Sequence, residues 1–126
     1  MTSQKIILIV EDNEINRAML RGILESEYKV LEAPNGLEAL KVLNDQKDNV
    51  SLILLDIVMP VMDGYEATAA IRALPRQDAV RIPILALTAN AFVTDVGKAK
   101  NAGMNDHITK PINLEVLFAT LYKWLV

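Results

Sequence analysis

The sequence contains no cysteine, which excludes disulfides, thiolate nucleophiles and cysteine-held zinc or iron–sulfur centres. A single histidine rules out a His-rich metal centre, so any bound metal must be held by oxygen. Long apolar runs are missing too. Stretches such as Ile6 to Val10 and Leu52 to Leu55 fall far short of the roughly 20 residues needed to cross a bilayer, and no membrane insertion is expected. The apolar run that comes after Met1 is too short for the core of a signal peptide, which points to a cytoplasmic location. Positive charge is outnumbered: 13 Lys and Arg stand against 16 Asp and Glu, a net charge of -3, so direct nucleic acid binding is disfavoured. No linker, low-complexity stretch or internal repeat interrupts the 126 residues, and a hydrophobic fraction of 52% is enough for one continuous core. Residues 1–126 therefore read as one domain.

What is present is an alternation of strand and helix patterns. Ile6 to Val10 is a β-branched-rich run of the kind buried on both faces of a parallel sheet. It stops at Glu11-Asp12. Ile15, Met19 and Ile23 then recur every four residues, which predicts an amphipathic helix with that stripe inward and Arg17, Arg21 and Glu25 between. Lys29 to Ala33 reads as a second strand, and Asn35 with Glu38 three residues on opens a helix through Leu37, Leu40 and Leu43, with a polar exit over 45–49. Leu52 to Leu55 is a third strand, ending at Asp56. Met59-Pro60 then interrupts the regular pattern. Asp63 with Glu66 caps a helix through Ala67, Ile71 and Leu74, which Pro75 ends, and Arg76 to Arg81 is a polar connector. Pro83 to Leu87 is a fourth strand ending at Thr88; Phe92, Val96 and Ala99 mark a fourth helix closed near Gly103. His107 to Thr109 is a fifth strand ending at Lys110, and Asn113 caps a last helix with Leu114, Leu117, Phe118, Leu121 and Leu125 on its apolar stripe.

Successive βα units of this kind imply an α/β fold: a flavodoxin-like, doubly wound five-stranded parallel sheet with right-handed crossovers and helices on both faces. With strand order 2-1-3-4-5, the first and third strands are neighbours at the switch point, outside whose carboxyl ends ligands bind. Glu11, Asp12, Asp56, Thr88 and Lys110 then share one edge. The second strand, the one without such a terminus, lies outside the cluster.

Three carboxylates that close together repel one another unless a cation sits among them. Magnesium, usually held by one or two carboxylates with waters and phosphate oxygens, fits this inventory better than calcium; manganese could substitute. A carboxylate can attack phosphorus to give an aspartyl phosphate, and phosphoryl transfer chiefly demands cations around the equatorial oxygens. The Lys110 ammonium supplies one, the Thr88 hydroxyl can bond a further oxygen, and the central position of Asp56 makes it the expected acceptor.

Taken together, Glu11-Asp12, the segment Asp56 to Gly64 (DIVMPVMDG), Ala86 to Ala91 (ALTANA) and Ala102 to Pro111 (AGMNDHITKP) resemble the receiver domain of two-component response regulators, across essentially the whole chain. The ALTANA and Gly-Met-Asn-Asp wording most resembles receivers attached to hybrid histidine kinases. The resemblance implies that Asp56 takes a phosphoryl group from the phosphohistidine of a histidine kinase or histidine phosphotransfer domain. It implies that Asp12, Asp56 and the backbone carbonyl of Val58 hold Mg2+ with Glu11 acting largely through water, and that Lys110 pairs with the phosphoryl group before a cis peptide into Pro111. Thr88 and position 107 would form the conformational switch. The family's usual partner or homodimer surface is the face of the fourth helix, fifth strand and fifth helix. Position 107, usually Tyr or Phe in that family, is His here, smaller and polar. Val58 and Asn90 occupy positions that tune phosphoryl lifetime in that family, and an apolar Val58, unable to orient the hydrolytic water, favours a long-lived group. Nothing after Val126 reads as an effector, so the chain is expected to be a stand-alone regulator or a part of a larger protein.

Other classes fit less well. A phosphatase working through an aspartyl phosphate usually carries a second Asp two positions after the nucleophile as general acid, where this chain has Val58. A flavin or nucleotide binder needs a glycine- or hydroxyl-rich turn after the first strand, where this chain has two acids. A degenerate receiver acting as a phosphorylation-independent docking module is the alternative that the complete acid, Asp, Thr and Lys set argues against. The expected product is a switch, not a turnover enzyme.

Overall fold

The chain alternates β1 (Ile6–Val10), α1 (Glu14–Leu24), β2 (Lys29–Ala33), α2 (Gly36–Asp45), β3 (Leu52–Asp56), α3 (Gly64–Arg72), β4 (Ile84–Thr88), α4 (Val93–Ala102), β5 (Asp106–Thr109) and α5 (Leu114–Leu125). The structure, a computed structural model, describes residues 5–45, 50–59, 61–76, 78–89 and 93–125, with 93–96 as backbone alone. Pro60, Asn90, Phe92, the side chain of Val96 and the segment 46–49 after α2 lie outside the described residues. The strands form one parallel sheet in the order β2-β1-β3-β4-β5, as the sequence pattern predicts. Among the described residues, no helix is long and apolar enough to cross a membrane.

Strand alternation sorts the core into two layers. Successive side chains on a strand point to opposite faces. Leu8 and Val10 of β1, Ile53 and Leu55 of β3 and Ile84 and Ala86 of β4 pack with Ala39, Leu43, Ala67, Ile71 and Ala99 of α2, α3 and α4. Ile7 and Ile9, Leu52 and Leu54, Leu85 and Leu87 pack on the other face with Leu20 and Leu24 of α1 and Leu117, Leu121 and Leu125 of α5. The central strands β1 and β3 are buried at every position, the condition that their unbroken apolar runs require.

The helix starts follow the expected caps. Asn35 Oδ1 accepts from Glu38 N at 2.9 Å, Asn113 Oδ1 accepts from Val116 N at 3.2 Å, and Asp63 and Glu66 complete a reciprocal capping box. Three helical details differ from the sequence pattern. In α1 only Ile23 of the stripe Ile15, Met19 and Ile23 packs against the core: Ile15 is 80% and Met19 50% exposed, while Leu20 and Leu24 are buried. The inward face runs Asn16, Leu20, Ile23, Leu24, and the polar Asn16 in its first turn hides that periodicity. Helix α3 stops at Arg72 with Ala73 as its C-cap, short of Leu74. In α5, Leu114 is exposed rather than part of the buried stripe.

Candidate functional site

Register explains why charges distant in sequence meet. Val10 lies opposite Leu55 in the β1–β3 ladder, so the next residues, Glu11 and Asp56, are neighbours at the carboxyl edge. Parity adds the direction: Glu11 continues the series Ile7, Ile9; Asp56 continues Leu52, Leu54; Lys110 continues Ile108; and all three series belong to the α1/α5 layer. Lys110 Nζ donates to Asp56 Oδ2 at 3.1 Å and to Glu11 Oε1 at 3.4 Å. Lys110 also extends the sheet edge, its N–H donating to the Thr88 carbonyl at 2.7 Å, and the peptide that joins it to Pro111 is cis.

Thr88, half-buried at the end of β4, has the parity of Ile84 and Ala86 and so belongs to the α2–α4 side of the sheet. His107 lies opposite Ala86 in the β4–β5 ladder and lines a cavity of about 190 Å³ with Ala99 and Lys100 of α4. Thr88 and His107 thus stand behind the carboxylates, toward α4. Just before His107, Asp106 is tied to α5: Trp124 Nε1 donates to its Oδ2 at 2.9 Å, with Lys123 Nζ 3.6 Å away. Burial pushes the Asp106 carboxyl up, but these two groups and the His107 backbone N–H and side chain outweigh it and hold the carboxyl below its usual range.

Glu11, Asp12 and Asp56 each present a carboxylate oxygen within 4.8 Å of the others. Glu11 is 1% exposed and Asp56 5%, while Asp12 is open to solvent. Burial raises the Glu11 carboxyl, the nearby Asp56 raises it further, and Lys110 and Asn16 lower it only in part, leaving it at about 7. Burial lowers the Lys110 ammonium, but Asp56 and Glu11 prevail and hold it above the usual lysine range. Among the described residues, Glu11 Oε2 is buried without a hydrogen-bond partner. A buried acceptor left unpaired is costly, and a hard cation among three oxygen donors satisfies it. The donor set fits Mg2+.

The loop after Asp56 is shaped by close approach. Val58 N donates to Asp56 Oδ1 at 3.1 Å, and Gly64 N donates back to the Ile57 carbonyl at 2.8 Å. A Cβ on Gly64 would lie 2.7 Å from the Asp56 carbonyl oxygen, so no other residue fits without moving the acceptor strand. Val61, in the same loop, has a φ of 72°, a left-handed conformation that β-branched residues rarely adopt. Beside the carboxylates opens a cavity of about 390 Å³ lined by Glu11, Asn16, Met19, Lys110, Pro111 and Ile112 among others.

Two contributors escape the sequence pattern. Asn16 reads as an ordinary first-turn residue, yet it lines this cavity. Arg17 reads as a solvated residue of the polar face, yet its Nη1 donates to the Glu11 carbonyl at 2.8 Å. No local signal marks either, because both depend on where α1 rolls against the sheet.

The response regulator receiver domain family model matches residues 7–122 of this chain. The chain is 36% identical over 125 residues to hybrid signal transduction histidine kinase I of Dictyostelium discoideum, and 37% identical over 117 residues to the sensor histidine kinase RcsC of Escherichia coli. These alignments cover 96% and 92% of this chain but 7% and 12% of the two relatives, so the chain spans a small fraction of their length. Among solved structures, the chemotaxis protein CheY4 of Vibrio cholerae matches with a TM-score of 0.88 at 32% identity, covering 98% of this chain and 100% of that one. The receiver domain of the sensor histidine kinase PA1611 of Pseudomonas aeruginosa, which has a magnesium ion coordinated in its active site cleft, matches with a TM-score of 0.85 at 38% identity, covering 98% of each.

Proposed function

The chain belongs to the response regulator receiver domain family, and on that premise we propose that it is a phosphorylatable switch whose acceptor is Asp56. One Asp56 carboxylate oxygen forms the new bond to phosphorus while the phosphorus–nitrogen bond of a donor phosphohistidine breaks, its electron pair returning to the imidazole. The observation that carries this reading is the environment of Asp56: a buried carboxylate 3.1 Å from the Lys110 ammonium and facing the acidic pair Glu11 and Asp12 at the end of the neighbouring strand.

Lys110, kept charged by its carboxylate neighbours, passes its hydrogen bond from Asp56 to a phosphoryl oxygen. Asp12 and Asp56 with the Val58 carbonyl would hold Mg2+, or Mn2+ in its place, with Glu11 acting largely through water. The bound cation would offset the charge of the phosphoryl oxygens against the three carboxylates. Thr88, held toward α4 before the transfer, moves onto a further phosphoryl oxygen. Its displacement and that of His107 carry the change toward α4, β5 and α5, where the tie between Asp106 and Trp124 makes the strand and the last helix one unit. That face is the surface for an effector or a second copy. The donor is a histidine kinase or histidine phosphotransfer domain in the cytoplasm, and the exposed Ile15 and Met19 offer it an apolar rim beside the site. The chain accepts a phosphoryl group and loses it slowly; it is a switch, not a turnover enzyme.

The test is intact mass after incubation with Mg2+ and a small acyl phosphate. One added phosphoryl group is expected on the native chain and none on Asp56→Asn; an Asp56→Asn protein that still gains the group overturns the assignment.

A further inference from the structure

Glu11 lies one residue past β1, and its N–H still pairs with β2, donating to the Ala33 carbonyl at 3.1 Å. In a continuing parallel ladder its carbonyl would accept from the N–H of residue 35. Asn35 has already left the sheet to cap α2, its Oδ1 accepting from Glu38 N. Arg17 takes the vacated place: its Nη1 donates to the Glu11 carbonyl at 2.8 Å. That carbonyl belongs to the planar peptide joining Glu11 to Asp12, so the guanidinium sets the orientation of the unit from which both acidic side chains depart.

Arg17 is itself aimed from the sheet. Its Nε lies 3.4 Å from Glu32 Oε1, on the β2 residue opposite Ile9, and its side chain is 18% exposed. Glu32 also neutralises the guanidinium, so Arg17 does not confront the acidic cluster as a bare positive charge. Arg21, one turn on, binds the other Glu32 oxygen and also Glu25. Arg21 shares the helix, the charge and the salt-bridge partner with Arg17, and of the two it is Arg17 that donates to the Glu11 carbonyl.

We propose that Arg17 is a positioning residue for the divalent-cation site, holding the Glu11–Asp12 peptide so that both carboxylates meet Asp56. This inference rests on the metal-binding reading of Glu11, Asp12 and Asp56. Outer-shell groups that orient metal ligands typically change metal affinity by about 10–100-fold when removed.

The test is calorimetric titration of Mg2+ into the metal-free native chain, Arg17→Met and Arg21→Met, alongside the thermal midpoint of each without metal. Methionine keeps the apolar stem of the arginine and removes every donor. Arg17→Met is expected to raise the Mg2+ Kd by about ten-fold or more, and Arg21→Met to leave it within about two-fold, although both lose a Glu32 partner and both lower the midpoint. If Arg17→Met is unfolded without metal, Arg17→Lys replaces it. A single ammonium cannot serve Glu11 and Glu32 in the same fork, and a weakening in the same direction is expected. Unchanged affinity in the folded Arg17 variant, or equal weakening by Arg21→Met, overturns the inference. A native chain that binds no Mg2+ overturns the metal reading itself.

Discussion

Held metal-free by a chelator, the protein should lose stability as the pH rises from 5 to 8, opposite to the trend set by salt-bridged carboxylates. Glu11 is 1% exposed, and its carboxyl titrates at about 7 in the fold against an ordinary 4.5. Between those values the folded chain keeps a proton that the unfolded chain has released, so stability falls as pH climbs through the window. The contribution is fully present below pH 4.5 and gone above about 7. At 1.36 kcal/mol for each unit of displacement, about 2–3 kcal/mol disappears between pH 5 and 8. Asp106, held below its ordinary 3.8, contributes stability that is lost only in stronger acid, and Lys110, held above its ordinary 10.5, contributes stability that is lost only in alkali; neither enters the window. Urea unfolding at pH 5, 6, 7 and 8 with chelator measures the slope for the native chain and for Glu11→Gln. The native chain should show the decline and Glu11→Gln a nearly flat profile, while saturating Mg2+ at pH 8 should recover the native chain's loss by binding the ionised carboxylates. A Glu11→Gln slope equal to that of the native chain refutes the reasoning, because the titrating group would then lie elsewhere.

Two structural substitutions test the frame around the site. Gly64→Ala places a Cβ 2.7 Å from the Asp56 carbonyl oxygen; it should cost about 1–3 kcal/mol in urea unfolding and slow acyl-phosphate labelling of Asp56, and normal labelling would show that the loop yields without moving the acceptor. Arg72 donates to the carbonyls of Ala79, Ile82 and Gly103 and to Asn105 Oδ1, and Arg72→Met leaves these acceptors without their cation. A loss of about 3 kcal/mol or more is expected, and a change within about 0.5 kcal/mol would mean that water replaces the guanidinium.

Much of the fold was legible because its signals are local. The apolar runs 6–10 and 52–55, the caps Asn35, Asp63 and Asn113, and the glycine after α4, Gly103 at a φ of 107°, each act within a few residues of themselves. The face of α1 was not legible in this way. Its period-four series Ile15, Met19, Ile23 is a valid helix signal, but which side of a helix is covered depends on the sheet and on α5, and those cover Leu20, Leu24 and Ile23 and leave Ile15 and Met19 exposed.

By itself the sequence determined the order of elements and the placing of Glu11, Asp12, Asp56, Thr88 and Lys110 at strand ends, because hydrophobic periodicity and turn chemistry are properties of neighbouring residues. Only the tertiary structure decided which of those groups meet. The pairing of Val10 with Leu55, and the parity shared by Glu11, Asp56 and Lys110, bring two acids and an ammonium to one face and leave Thr88 and His107 on the other. The same nonlocal geometry ends the β1–β2 ladder beside Glu11 and turns Arg17, a surface charge in the sequence, onto its carbonyl. Register and helix roll are set by long-range packing between segments, and no local pattern encodes them.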